Sequence, residues 1–535
     1  MTARTTLRLA LAGAAMLTLA SAGHAAMTGP VKTVDGLVAG TPGKVAGVTA
    51  FKGIPFAAPP VGNLRWKAPQ PVKPWKGVRD ASKYGKVCMQ QPGKGRVNPA
   101  TDMPDSPGMS EDCLYLNLWT AAKKAGEKRP VMVWLYGGAY TEGGGSAPFS
   151  EGNQLAEKGV VLVTLNYRNG AFGFLSYPGL TAESGHNASG NYALMDAIAA
   201  LKWVKANIAQ FGGDPDNVTV FGESAGACMS AALVGSPLAK GLIRRAISES
   251  GAWMGLGIAK MTPLAKAEAQ TVKTAEALGV KSLADLRAMS AEDVLNKLHS
   301  QGMIVDGWVI PEDLSKTFAE GRQNKVDVLV GSNGEEGSFT AAFGPPMTAA
   351  SWREGAAKRW GDLAEQGLAA YPAATDAEAK AIASVPFSDT LAWHMRLYAD
   401  SQAKIGQKAY LYHFMHRPPY DPGKPDLGAA HTAEIPYVFD DLAAPRTFPG
   451  QSSVKLMSGN PTEEALADEV SSYWVNFART GNPNGKGLPE WPMVNQLGPT
   501  QAMLIDAGHS GPGPWLNQAK INLYDAIYKR DVGAR

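Results

Sequence analysis

Several things are scarce in this sequence. Its 535 residues carry a formal net charge of only +3, so there is no electrostatic case for nucleic acid or an acidic membrane surface as partner. Arginine-rich runs and RNA-binding aromatic motifs are missing. Beyond the first 25 residues no apolar stretch is long enough to span a bilayer, which argues against stable membrane insertion. There is no internal repeat and no long low-complexity linker. Cysteine is rare: Cys88, Cys113 and Cys228 are the only three. In an exported protein a pair of them is oxidised and the odd one buried. Cys228 lies in an apolar helical pattern and reads as a small core residue.

What is plentiful is apolar. Hydrophobic residues make up 45% of the chain, enough for a large core. The N-terminus, "MTARTTLRLALAGAAMLTLASAGHAAMTGP", has two early arginines, then an apolar run, then small residues. Residues 1–25 therefore read as a secretory signal peptide, with cleavage after Ala22 or Ala25. The expected location is secreted or periplasmic, with residues 26–535 forming one elaborated domain. Short, continuous apolar runs recur at 130–136, 160–167, 218–224, 326–333 and 408–414. Such runs suit strands buried on both faces. Helical patterns at 191–211 and 265–279 alternate with them. The alternation predicts an α/β fold: a mostly parallel twisted sheet flanked by helices. Residues 340–405 read as a helical insertion that caps the sheet, and proline and glycine clusters at 93–108, 417–428 and 481–492 as surface loops.

The stretch "VTVFGESAGACMSAALV" (218–234) carries the chemistry. A strand, then Gly-Glu-Ser-Ala-Gly, then a small-residue helix is the context of a nucleophile elbow on Ser224. A serine hydroxyl needs a base. In a hydrolase with chain order Ser, acid, His, the histidines His413, His416, His431 and His509 all qualify. His413 and His416 form "HFMH", a spacing that can bind metal, but no further ligand set accompanies them. Glu335 and Glu336, in "VLVGSNGEEGSF" (328–339), are candidates for the acid, or else a solvated acidic turn. The glycine-rich "WLYGGAYTEGGG" (134–145) supplies backbone N–H groups for an oxyanion.

These motifs resemble the type B carboxylesterases, the cholinesterase-like branch of the α/β-hydrolases. The resemblance runs through "FKGIPFAAPPVGNLRWKAPQP" (51–71), "SEDCLYLNLW" (110–119), "FGGDPDNVTVFGESAGA" (211–227), "VDGWVIPE" (305–312), "GSNGEEGSF" (331–339), "HTAEIPYVF" (431–439) and "YWVNFARTGNPN" (473–484), in family order. It implies an α/β-hydrolase fold with helical cap insertions. It implies Ser224 as nucleophile, Glu336 rather than Glu335 as acid, and His431 as base. Gly138, Ala139 and Ala225 fall at the oxyanion-hole positions. Two departures stand out: many members have glycine where this chain has Ala139, and the family often has glycine at Thr432. Cys88 and Cys113 match the family's first disulfide. Trp253 and Phe339 fall where the family builds acyl-pocket walls, or are ordinary core aromatics.

The resemblance thus implies a serine carboxylesterase acting on a small-molecule ester through an acyl-enzyme, with no metal or organic cofactor. Polyester-metabolite esterases of the fumonisin type and non-catalytic binding proteins are the alternatives within the same family. A base that is little perturbed would titrate at about 6–7.

Overall fold

The continuous apolar runs become strands with both faces covered. The computed structural model describes residues 27–533 apart from residues 28, 92–97, 99, 103–105, 258–259, 345–346 and 446–451. Residues 1–25, read above as a signal peptide, and much of the 93–108 loop lie outside the described residues. Three strands open the central sheet: β1 (Thr41–Pro42), β2 (Thr49–Pro55) and β3 (Tyr115–Thr120). Then come β4 (Arg129–Leu135), β5 (Val161–Leu165), β6 (Gly213–Glu223) and β7 (Arg245–Glu249). The last four are β8 (Asp327–Asn333), β9 (Ala409–Phe414), β10 (Gln501–Ile505) and β11 (Gly511–Pro514).

In space the order is β11-β10-β9-β8-β7-β6-β4-β5-β3-β2-β1. Strands β4 to β10 run parallel, while antiparallel pairs close both edges. The order reverses at β4, which has β5 on one side and β6 on the other. A reversal of this kind opens a crevice at the carboxyl ends of the strands.

Helices cover the faces. They include α1 (Tyr192–Asn207), α2 (Ala225–Gly235), α3 (Val385–Lys404), α4 (Ile435–Val438) and α5 (Pro461–Thr480). The 340–405 region divides in two. Its first part is a run of short helices, whereas α3 packs on β8 and β9 as the crossover between them. The aromatic core is dense: Trp134 on β4 lies 4.9 Å from Phe221 and 5.0 Å from Phe439. Such ring pairs add to plain area burial.

Strand β7 escapes a search for apolar runs. Its Arg245, Ser248 and Glu249 are polar yet buried. Arg245 Nη1 reaches the Ala478 carbonyl (3.0 Å), and Ser248 Oγ donates to the Ala227 carbonyl (3.2 Å). A buried polar group with such partners loses little on leaving water. Cys88 and Cys113 form the disulfide, and Cys228 is free. Among the described residues no helix is long and apolar enough to cross a membrane.

Candidate active site

The site grows from the carboxyl ends of β4, β6, β7 and β8. Strand β6 ends at Glu223, helix α2 begins at Ala225, and Ser224 makes the whole turn. Its backbone has φ 55° and ψ −120°. A non-glycine residue in such a region stores about 1–3 kcal/mol of strain. Three neighbours hold it there. Ser224 N–H donates to the Glu249 carbonyl (2.8 Å), and its own carbonyl accepts from Cys228 N–H (3.0 Å). The third is steric. A Cβ on either Gly222 or Gly226 would run into the Leu135 carbonyl oxygen at the end of β4. Neither glycine has a positive φ. The motif's glycines therefore serve close approach, and the strained dihedral belongs to the serine itself.

The loop after β4 lies against this turn. A Cβ on Gly137 would sit 3.2 Å from Ser224 Cβ. Gly138, Ala139 and Tyr140 follow with φ of 111°, 51° and 64°. Among the described residues no acceptor faces the N–H groups of Gly138, Ala139 or Ala225. The loop is anchored at both ends. Tyr140 carbonyl accepts from Gly170 N–H (2.7 Å), and Gly143 exchanges two hydrogen bonds with the buried Gln90 (2.7 and 2.8 Å). Gln90 lies two residues past Cys88, so the disulfide segment steadies the glycine loop.

Glu336 sits three residues beyond β8 and is fully buried. It accepts hydrogen bonds from Asn333 N–H (2.8 Å) and from the Ser250 hydroxyl. Its other oxygen lies 2.6 Å from His431 Nδ1. His431 Nε2 lies 3.1 Å from Glu223 Oε1, on the residue before Ser224. Of the four histidines in the right chain order, only His431 contacts Glu336. His413 is buried in β9 with Ser332 Oγ 3.4 Å away. His416 is taken up by Glu463 (3.0 Å) and Asp506 (3.2 Å). His509 is exposed in a turn. Glu335 turns away from Glu336 and pairs with Arg417.

Two further carboxylates were not legible in the sequence. Glu249 accepts from Trp474 Nε1 (2.8 Å), and Glu434 accepts from Asn333 Nδ2 (2.5 Å). Both are fully buried, as is Glu223 within a few per cent. Burial raises Glu223 to about 8, and Glu434 and Glu336 add to the rise while His431 opposes it. Burial raises Glu434 to about 7, with Glu336 adding to it. Burial, then the neighbouring Glu434, holds Glu249 well above the usual carboxylate range. Glu336 alone goes down: burial opposes, but the His431 cation and its hydrogen bonds win. For His431 burial favours the neutral ring, yet Glu223 and Glu336 together lift it to about 10. That overturns the expectation of a little-perturbed imidazole. The cause is a carboxylate facing each ring nitrogen.

Trp253 is buried, donates Nε1–H to the Cys228 carbonyl (3.1 Å), and lies parallel to Tyr140 with centroids 6.3 Å apart. Phe339 is 39% exposed with its ring 6.5 Å from His431. Trp253 packs on Tyr140 and on the helix after Ser224, and Phe339 stands near His431. The arrangement offers a strained hydroxyl, a carboxylate-bound imidazole and a set of unengaged N–H groups at one sheet edge. Such a set can carry a proton off an alcohol and stabilise a developing oxyanion.

Comparison with known proteins gives a consistent picture. A family model described as the carboxylesterase family matches residues 28–523. The chain is 37% identical over 511 residues to the fumonisin B1 esterase of Sphingopyxis macrogoltabida, covering 91% of this chain and 88% of that protein. It is 35% identical over 490 residues to the para-nitrobenzyl esterase of Bacillus subtilis (strain 168), covering 87% and 92%. Among solved structures, a PNB esterase matches with a TM-score of 0.77 at 32% identity, covering 93% of this chain and 99% of that one. A carboxylesterase of Geobacillus stearothermophilus matches with a TM-score of 0.74 at 33% identity, over 93% and 99%.

Two outcomes follow from the geometry. Gly226→Ala should cost roughly 3 kcal/mol of stability, because its methyl meets backbone rather than a side chain that can turn away. Thermal unfolding reads this, and an unchanged melting temperature would contradict the steric account. Glu223→Gln removes one of the two carboxylates whose charge raises the His431 pKa. The His431 pKa, followed by NMR titration, should then fall by roughly 1–3 units. An unmoved titration would show that the Glu223 charge does not act on the ring.

Proposed function

The chain belongs to the carboxylesterase family and is a carboxylic ester hydrolase of the α/β-hydrolase fold, and from that premise we propose an exported serine esterase with Ser224 as nucleophile, His431 as general base and Glu336 as the carboxylate that orients it. The observation that carries this reading is the 2.6 Å contact between Glu336 and His431 Nδ1 beside the strained Ser224 turn. His431 takes the hydroxyl proton as Ser224 Oγ attacks the ester carbonyl. The carbonyl oxygen, now negative, is held by the N–H groups of Gly138, Ala139 and Ala225. The alcohol leaves with the proton from His431. Water, deprotonated by the same ring, then cleaves the acyl-enzyme.

Glu223 gives the base a second partner. The Glu223 carboxyl lies 3.1 Å from His431 Nε2 and favours the protonated ring by its charge. Only the neutral ring accepts a proton from Ser224. The acid limb of the kcat/KM profile therefore lies above the ordinary imidazole range, because the His431 pKa is raised.

The walls bear on substrate class. Trp253 and Tyr140 make an aromatic, uncharged surface suited to neutral acyl groups. The Ala139 methyl narrows the opening against esters of tertiary alcohols. A narrower reading, an esterase for bulky polyester metabolites, is supported by the identity to the fumonisin B1 esterase. Export is supported by the Cys88–Cys113 disulfide, which a reducing cytosol does not keep, and by the leader-like residues 1–25.

An organophosphonate should label Ser224 alone, and Ser224→Ala should lose turnover on the order of a million-fold. Glu336→Gln should lose roughly ten-thousand-fold and Glu335→Gln far less. Peptide mapping and ester kinetics decide both points; a label elsewhere or equal losses at the two glutamates would refute the assignment. Choline esters should gain nothing from their charge, since the segment between Cys88 and Cys113 holds no Trp, Tyr or Phe. The comparison is kcat/KM for butyrylcholine against 3,3-dimethylbutyl butyrate. A preference of about tenfold for the choline ester, out of the roughly thirtyfold a desolvated cation–π contact can give, would mean another ring binds the cation.

A further inference from the structure

His431 sits in a loop, Gly428 to Thr432, that belongs to no strand or helix. Loops are the least fixed parts of a fold, yet a general base must be held to a fraction of an ångström. The loop is hung from its neighbours bond by bond. Gly428 N–H donates to Asp426 Oδ1 (2.8 Å), and its carbonyl accepts from Tyr420 Oη (2.7 Å). Ala429 N–H donates to Glu335 Oε2 (2.5 Å), and its carbonyl accepts from Glu335 N–H (2.9 Å). Glu335 and Ala430 form an isolated parallel bridge. The Ala430 carbonyl accepts from Asn333 Nδ2 (2.8 Å).

Glu335 is the centre of this set. It touches the loop with both backbone and side chain, and it is joined directly to Glu336. The Arg417 guanidinium pairs with its free oxygen and also reaches Asp426 (3.3 Å). Gly428 has φ +67°, and a Cβ there would collide with the Glu335 carboxylate. The carboxylate thus lies directly against the loop backbone. The Arg417 and Glu335 side chains are 56% and 36% exposed. An ion pair that wet adds little to folding stability. Its value is in where it points the carboxylate.

From this geometry we propose that Glu335 and Arg417 are positioning residues for the general base. Arg417 turns the Glu335 carboxylate onto the Ala429 N–H, and that bond sets the distance from His431 to Glu336. Neither residue touches substrate. The proposal gives a role to the arginine that follows the "HFMH" motif. His416, the last residue of that motif, fixes the same segment from behind through Glu463, which also receives the Tyr437 hydroxyl from α4. The inference rests on His431 being the base.

The test is steady-state kinetics on p-nitrophenyl butyrate with His431→Ala, Glu335→Ala, Glu335→Gln, Arg417→Ala and Arg417→Lys. In Glu335→Ala, kcat should fall roughly 10- to 100-fold, as for a misplaced catalytic group, with KM within about twofold of the parent. Glu335→Gln keeps an oxygen for Ala429 and should retain most of the activity. Arg417→Lys should recover most of what Arg417→Ala loses. The double alanine variant should be no worse than Glu335→Ala alone, because the two act through one bond. The downfield proton signal of the His431–Glu336 hydrogen bond should shift or broaden in Glu335→Ala. A kcat within about twofold of the parent, a KM rise that accounts for the loss, or fully additive losses would overturn the proposal. If Glu335→Ala does not fold, Arg417→Ala decides: an unchanged kcat overturns the proposal, and a loss recovered by Arg417→Lys supports it. Activity retained by His431→Ala would instead remove the base assignment, which separates the two failures.

Discussion

One carbonyl oxygen governs how this site is put together. Leu135 O, at the end of β4, occupies the space that a side chain on Gly222 or Gly226 would need. Because both positions are bare, the β6–α2 turn lies directly on the end of β4. That closeness puts Ser224 beside the Gly137–Tyr140 loop, leaving no comfortable room for a side chain on Gly137 against the serine's Cβ. It also forces the serine into its positive-φ conformation, since the chain must reverse within one residue. The Ser224 turn and the Gly137–Tyr140 loop are thus one packed unit. Neither can shift without the other.

The second organising fact is electrostatic. Glu223, Glu336 and Glu434 are buried around one imidazole, and Glu249 is buried beyond them against Glu434 and Glu223. Four carboxylates that close in a low-dielectric interior cannot all be ionised. The structure apportions the charge by hydrogen bonding. Glu336 has three donors and is held below the usual carboxylate range, whereas burial and the neighbouring Glu434 hold Glu249, with the Trp474 indole as its donor, well above it. Glu223 and Glu434 fall between these extremes. The imidazole is consequently more basic than an isolated histidine. Proton uptake and release by the site belong to the group as a whole.

Parts of this were readable in the chain and parts were not. The parallel sheet was, because strands covered on both faces leave continuous apolar runs such as "PVMVWLY". The Ser224 turn was, because strand, glycine, serine, glycine and small-residue helix are contiguous. Strand β7 was not: it buries Arg245, Ser248 and Glu249, so its polarity hid it. The base was ambiguous to residue order alone, which admits four histidines; the family motif singled out His431, and the fold brings it to Glu336 by setting the segments after β8 and β9 side by side. The carboxylate cluster had no local signal. Glu249 and Glu434 are far apart in the chain and come together at the sheet edge, the one held by Trp474 and the other by Asn333. For the same reason the shift of His431 could not be anticipated.

Under the proposed assignment, the spacing of Ser224, Glu336 and His431 also sets when activity can begin. As the chain emerges N-terminus first, the β6–α2 turn is complete some hundred residues before its acid and some two hundred before its base. The loop that carries the base has nothing to hang from until Glu335, Arg417 and Asp426 have all been made. A nascent or prematurely terminated chain therefore holds a serine without a proton acceptor. The hydrolytic machinery switches on late in synthesis and all at once. A chain still being made, or still unfolded, is chemically silent toward the esters around it.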